Sequence, residues 1–195
     1  MKIKIFNTMT IILLFFVINN SYATCNGFIK ENNKQGAPGT LKIVFDFNRG
    51  GIASSQYAIW IEDSNGKLVK NIYVTKFTAD GGYMRREDCL PTWVYKANPE
   101  KFSMGYTDAF SGATPKSGKQ TYYWNGTSDR GEILPAGEYY FYIECNLHWD
   151  QTVLYTGKVD LGGEEQSSIP VDVEYYNEGN KNKNIIKNIE VSYEP

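Results

Sequence analysis

The sequence predicts an all-β fold, an antiparallel β-sandwich with one long loop containing a short helix. Three observations predict it. Apolar and polar residues alternate with period two in several runs, as in half-buried strands. Gly, Asn, Asp and Pro turn signals join many of those runs. Hydrophobic residues make up 42% and aromatic residues 15% of the 195 residues, enough to fill a core and too aromatic for a disordered chain.

In chain order, Lys2 and Lys4 form a short positive region ahead of the apolar run Ile11–Ile18, and Ser21-Tyr22-Ala23 offers small residues at a cleavage site. This is the pattern of an export signal over residues 1–23, and the apolar run is too short to span a membrane. Cys25 raises lipidation as a rival, but Tyr22-Ala23-Thr24 is a poor lipobox, so a periplasmic or secreted protein is expected. Residues 24–40 are polar, carry Pro38-Gly39 and read as a leader or linker ahead of a domain over 41–195. There Leu41, Ile43, Phe45 and Phe47 alternate along a first strand. Tyr57–Glu62 and Lys67–Phe77 flank the hairpin signal Asp63-Ser64-Asn65-Gly66. Further strands are expected at Thr121–Trp124, Glu138–Asn146, Thr152–Leu161, Ile169–Tyr176 and Ile185–Tyr193. The stretch Asp80–Lys119 does not read as strand, and long loops are often functional. Within it, Pro91–Ala97 predicts one or two helical turns with Pro at the first position. Phe45, Ile59, Trp124, Tyr139, Phe141 and Ile143 are expected in the core.

Composition narrows function. With 20 Lys+Arg against 22 Asp+Glu, no basic footprint for nucleic acid exists. One His and three Cys do not make a zinc site built from several such ligands. His148 has no Ser or Cys partner fixed by spacing, so no catalytic residue is assigned and a hydrolase is disfavoured. Asp63, Asn65, Asp129 and Gly131 lack the remaining oxygens of a calcium loop and read as turn residues. Asn125-Gly126-Thr127 is a glycosylation sequon by pattern, with Gly126 already required by the hairpin. Arg85-Arg86, flanked by Glu87 and Asp88, reads as a solvated run or a phosphate or carboxylate contact. Trp93, Tyr106 and Phe110 either stack on a flat cofactor or cover the end of the sandwich. Cys89 and Cys145 are the preferred disulfide pair in an oxidising compartment, with a buried unpaired Cys145 as the alternative.

Trp124-Asn125-Gly126, Gly131 and Leu134-Pro135-Ala136-Gly137-Glu138-Tyr139 make a hairpin signature that resembles the immunoglobulin-like domain of the flagellar hook-capping protein family, which implies an immunoglobulin-like sandwich and no particular activity. More broadly, Tyr57–Asp63, the loop with Trp93, the Asp108–Pro115 segment, the Trp124–Tyr139 hairpin and the closing Ile189–Tyr193 resemble the DUF2271 family of predicted periplasmic proteins over roughly Leu41–Pro195. That resemblance implies export and a link to flavin transferase and membrane redox systems.

Asp108-Ala109-Phe110-Ser111-Gly112-Ala113-Thr114 resembles the recognition motif of ApbE-type flavin transferases, Asp-x-x-[Ser/Thr]-Gly-Ala-[Ser/Thr]. The resemblance implies that Thr114 accepts FMN as a phosphoester, with Asp108, Ser111, Gly112 and Ala113 as recognition residues. A Thr hydroxyl is a weak nucleophile and needs a base and a metal, which the transferase supplies. Where flavin-carrying domains commonly have another Ser or Thr two residues after the acceptor, this chain has Pro115-Lys116-Ser117. Two readings follow. One is an exported electron-transfer protein with covalent FMN, served by a flavin transferase and a membrane redox partner. The other is a non-catalytic immunoglobulin-like binding module of the envelope, with Asp108–Thr114 as a plain turn.

Overall fold

The computed structural model describes residues 39–50, 55–147, 151–176 and 184–195, all within one compact unit, Lys34–Pro195. The export signal, Cys25, most of the leader and His148 lie outside the described residues. The chain is mostly β, with 48% strand and 16% helix.

Strands β1 (Thr40–Phe47), β5 (Gly118–Trp124) and β9 (Ile186–Glu194) form a three-stranded sheet in the order β5-β1-β9. Strands β2 (Gln56–Asp63), β3 (Leu68–Thr75), β4 (Ser111–Gly112), β6 (Gly137–Asn146), β7 (Thr152–Leu161) and β8 (Asp172–Tyr175) form a six-stranded sheet in the order β4-β3-β2-β6-β7-β8. The named strands pair antiparallel except β3 and β4, which run parallel.

The two sheets face each other across the main core. Leu41, Ile43, Phe45 and Phe47 project from one side of β1, and Tyr57, Ile59 and Ile61 from β2 meet them with Tyr139, Phe141, Ile143 and Cys145 from β6. All six residues expected in the core are buried, none more than 5% exposed. Each large apolar side chain removed from water contributes about 1.5–3 kcal/mol, which makes this face the main source of stability.

Turn chemistry sets the registers. Asp63 Oδ1 accepts the backbone N–H groups of Asn65 at 2.9 Å and Lys67 at 3.0 Å, and Gly66 takes φ +75°. That closes the β2–β3 hairpin by turn chemistry, as the spacing predicts. The expected Trp124–Tyr139 hairpin is instead a connection between the sheets, because β5 pairs with β1 and β6 with β2 and β7; there Trp124 donates Nε1–H to the Thr127 carbonyl at 2.9 Å, its ring meets Tyr139 edge-on at 5.5 Å, and the Tyr139 hydroxyl donates to the Pro135 carbonyl.

The segment after β3 departs from expectation. Instead of one long loop with a single helix, it folds as a layer of α1 (Lys76–Ala79), α2 (Pro91–Ala97) and α3 (Met104–Asp108), with 3-10 turns at Gly82–Met84 and Pro99–Lys101. Helices of four, seven and five residues are too short to display helical periodicity. Pro91 does occupy the start of α2, as predicted. The layer covers the outer face of the six-stranded sheet and builds a second core of Trp60, Val74, Cys89, Leu90, Trp93 and Phe110. Strand β2 is therefore buried on both faces. The expected strand Lys67–Phe77 stops at Thr75 because α1 begins there. The expected strand Ile169–Tyr176 shortens to β8, because Gln166 and Ile169 bond the backbone of Tyr193 and Val191 in the other sheet.

The expected Cys89–Cys145 disulfide is not formed; both thiols are free and buried. Cys145 shares the inner face of β6 with Phe141 and Ile143, whereas Cys89 belongs to the outer core. The sheet itself separates them.

Candidate functional site at the sheet edge

Helix α3 is capped by Ser103, whose Oγ accepts the Tyr106 N–H, and ends at Asp108, the first residue of the motif. Asp108 is exposed and paired with Lys76 Nζ at 3.0 Å. Lys76 also reaches Asp80 at 3.3 Å, and its pKa is raised first by the bond to Asp108. The chain then turns inward at Phe110, which is buried in the outer core, and the Phe110 carbonyl accepts the Val74 N–H. Ser111 and Gly112 run beside Val74 and Thr75 as the short edge strand β4.

Tyr73 holds this edge. Its hydroxyl lies 3.2 Å from the Gly112 carbonyl and 2.8 Å from that of Ala113. Its ring lies so close to Gly112 that a Cβ there would stand 2.9 Å from Tyr73 Cε2, so the position demands glycine for packing. Tyr73 itself packs at a tilt against Tyr57, ring centroids 5.0 Å apart, and the Tyr57 hydroxyl bonds Tyr122 across the sandwich. Burial first, then the neighbouring tyrosines, pushes the Tyr57 hydroxyl far up, so it stays neutral. Beyond Gly112, Ala113 is exposed and Thr114 half-buried, and among the described residues Thr114 Oγ1 donates only a long bond of 3.4 Å to the Ser55 carbonyl. Ser111 Oγ is buried with no hydrogen-bond partner among the described residues.

A polar network anchors the helical layer. Asp129 Oδ2 accepts from the Tyr106 hydroxyl at 2.5 Å and from Asn71 Nδ2 at 2.8 Å, and Asn71 Oδ1 accepts Trp93 Nε1–H at 2.8 Å. Burial, followed by the bond to Asp129, raises the Tyr106 pKa. At the other end of the layer Glu144, fully buried on β6, accepts the N–H groups of Thr92 at 3.0 Å and Trp93 at 2.8 Å, and so caps α2. Desolvation pushes its carboxyl up to about 7 against the opposing effect of those bonds. Glu62 accepts from Trp60 Nε1 and Lys96 Nζ, tying α2 to β2.

A cavity of about 600 Å³ opens beside the motif. Lys76, Tyr83, Phe102, Met104, Thr107 and Asp108 are among its walls.

The structure places Ser111 and Gly112 on the sheet edge as β4, with Asp108 before them at the end of α3 and Ala113 and Thr114 directly after them. Trp93, Tyr106 and Phe110 take the covering role, packed with Phe102 over the outer face of the sheet. Arg85 is exposed, but Arg86 is buried beside Asp88 and is no solvated residue. Asp129 is more than a turn residue, since it links the β5–β6 connection to α3. Sequence reasoning missed Asn71, Tyr73, Glu62 and Glu144. For the two glutamates a signal existed: each interrupts an apolar strand at a position that alternation places on the outer face, and a carboxylate among apolar neighbours marks a built contact.

A family model described as a predicted periplasmic protein (DUF2271) matches residues 40–176. No curated protein matches the chain. No solved structure matches it. Among the described residues no helix is long and apolar enough to cross a membrane.

Proposed function

The chain belongs to the DUF2271 family of predicted periplasmic proteins, and from that premise we propose that it is a carrier of covalent FMN, attached at Thr114, for extracytoplasmic electron transfer. One observation carries the reading: the acceptor hydroxyl lies two residues past the edge strand β4, half-exposed and, among the described residues, held by a single long bond. Attachment by an ApbE-type transferase is balanced as follows. The Thr114 Oγ1–phosphorus bond forms, the diphosphate bond of FAD breaks, AMP leaves, and the hydroxyl proton passes to a base of the transferase.

The recognition residues fit this demand. Asp108 is exposed for contact and Ala113 adds little bulk beside the acceptor. Among the described residues Ser111 Oγ has no partner that would explain a serine there. Because that atom is buried, the transferase reads it only after lifting the segment from β3. The parallel pairing spans two residues, Ser111 and Gly112, plus the Tyr73 contacts, so this local opening is small. When bound, FMN supplies the redox chemistry, while the sandwich holds and positions it.

The test is co-expression with a flavin transferase. The exported protein gains a flavin absorbance that survives denaturation, and Thr114→Ala abolishes it while Thr121→Ala does not. No retained flavin in the presence of an active transferase and FAD transfers the function to the binding-module reading.

A further inference from the structure

We infer that the cavity between α1 and α3 binds a small organic cation, an amine with an apolar body. This inference stands apart from the flavin reading and involves neither Thr114 nor FMN. The walls of the cavity come from α1, the two 3-10 turns and α3. Its volume of about 600 Å³ lies within the span of about 300–1,000 Å³ common to small-molecule sites.

Charge defines one end of the occupant. Asp80, Glu100 and Asp108 line the cavity against a single cation, Lys76, which leaves two net negative charges. Lys76 is already engaged by Asp108 at 3.0 Å and Asp80 at 3.3 Å, so it has little to offer an anion. Glu100 makes no ion pair among the described residues. Its charge reaches the cavity wall, because the Tyr83 hydroxyl is held above its ordinary pKa by burial first and by Glu100 second. A carboxylate, a phosphate or any acceptor-rich ligand is repelled here, and an ammonium is attracted.

Apolar surface defines the other end. Met84 is 70% and Met104 85% exposed, so two large thioether side chains stand in water on the walls of one cavity. Phe102 and Tyr83 add aromatic surface, which attracts a cation through the ring quadrupole, and methionine adapts to ligands of varied shape. A hydrated metal ion leaves this surface uncovered, and among the described residues no group of three or more His, Cys, Asp or Glu is placed to hold one. The same surface decides the source of the ammonium. A lysine side chain of a protein partner brings only a four-carbon stem, too slight to cover two methionines and two rings. A free amine with an aromatic or long alkyl body covers them while its ammonium meets the carboxylates.

The experiment titrates the exported protein, made without a transferase, with dansylcadaverine, a fluorescent aromatic body on a five-carbon primary amine. The expected result is a saturable rise in emission. The N-acetylated probe, close in shape but neutral, binds about tenfold more weakly or worse. N-acetyl-lysine amide, an ammonium without the apolar body, displaces the probe only at concentrations about tenfold above those of phenethylamine. Glu100→Gln, at an exposed position with no ion pair to lose, weakens amine binding about fivefold and leaves the acetylated probe unaffected. Glu132→Gln, exposed and outside the cavity, changes neither. No saturable response, equal affinity for the amine and its acetylated form, or unchanged amine affinity in Glu100→Gln overturns the inference. Displacement by N-acetyl-lysine amide as effective as by phenethylamine assigns the cavity to a partner's lysine and overturns the free amine.

Discussion

Replacing Glu144 by Gln probes how the helical layer is held on the sheet. The carboxylate is fully buried and caps α2 through two backbone N–H groups. Its pKa in the folded protein is raised from 4.5 to about 7, with desolvation as the leading cause. A group whose folded pKa exceeds its unfolded value binds more protons when folded. Its contribution to stability is therefore complete below the unfolded pKa and is lost as pH rises through the folded one. The shift corresponds to about 3 kcal/mol lost between roughly pH 4 and pH 8. Gln cannot ionise, so E144Q lacks this slope, although its single carbonyl oxygen satisfies the two N–H groups less well and lowers stability at acid pH by about 1 kcal/mol. Urea denaturation of both proteins across that range is the assay. The difference between the two curves isolates Glu144, because all other titrating groups are shared. The expected outcome is a wild-type advantage at acid pH that shrinks and reverses as pH rises. Parallel curves, or a wild-type advantage that grows with pH, refute the assignment of Glu144 as a carboxylate whose charge is penalised by burial.

Phe141→Ala costs about 3–5 kcal/mol in the same denaturation assay, because the ring is fully buried and lies over Gly157, its partner on β7; a cost under about 0.5 kcal/mol means that the side chain is not a core residue. Cys89 and Cys145 resist a thiol reagent in the folded protein and react once it is unfolded without reductant, since both are free and buried and burial pushes the Cys89 thiol up to about 11. Thiols of Cys89 and Cys145 that appear only after reduction contradict this.

The sandwich was legible because alternation is a direct record of two-sided strands. In β1 and β6 the apolar positions named from sequence are the ones that meet across the core. The same alternation placed Cys145 with Phe141 and Ile143, so the unpaired thiol was written in the strand, and the compartment argument for a disulfide outweighed it. The second core was hidden because its contributors are scattered: Trp60 shares β2 with inner-face residues, Trp93 sits on a helix too short for a period, and Phe110 lies in the turn between α3 and β4. Strand β4 had no local signal at all. Two residues pair in parallel with a strand far back in the chain, and Tyr73 fixes them from a distance. The segment Asp108–Thr114 stood out in the sequence as a motif, but its support by Tyr73 and the cavity beside Asp108 exist only in three dimensions.

The most direct test of the account is the intact mass of the exported protein produced with and without an active flavin transferase. The account predicts a gain equal to one FMN less one water only with the transferase, mapped by peptide fragmentation to Thr114 and absent in Thr114→Ala. An unchanged mass in both preparations, or the added mass on a residue other than Thr114, contradicts it.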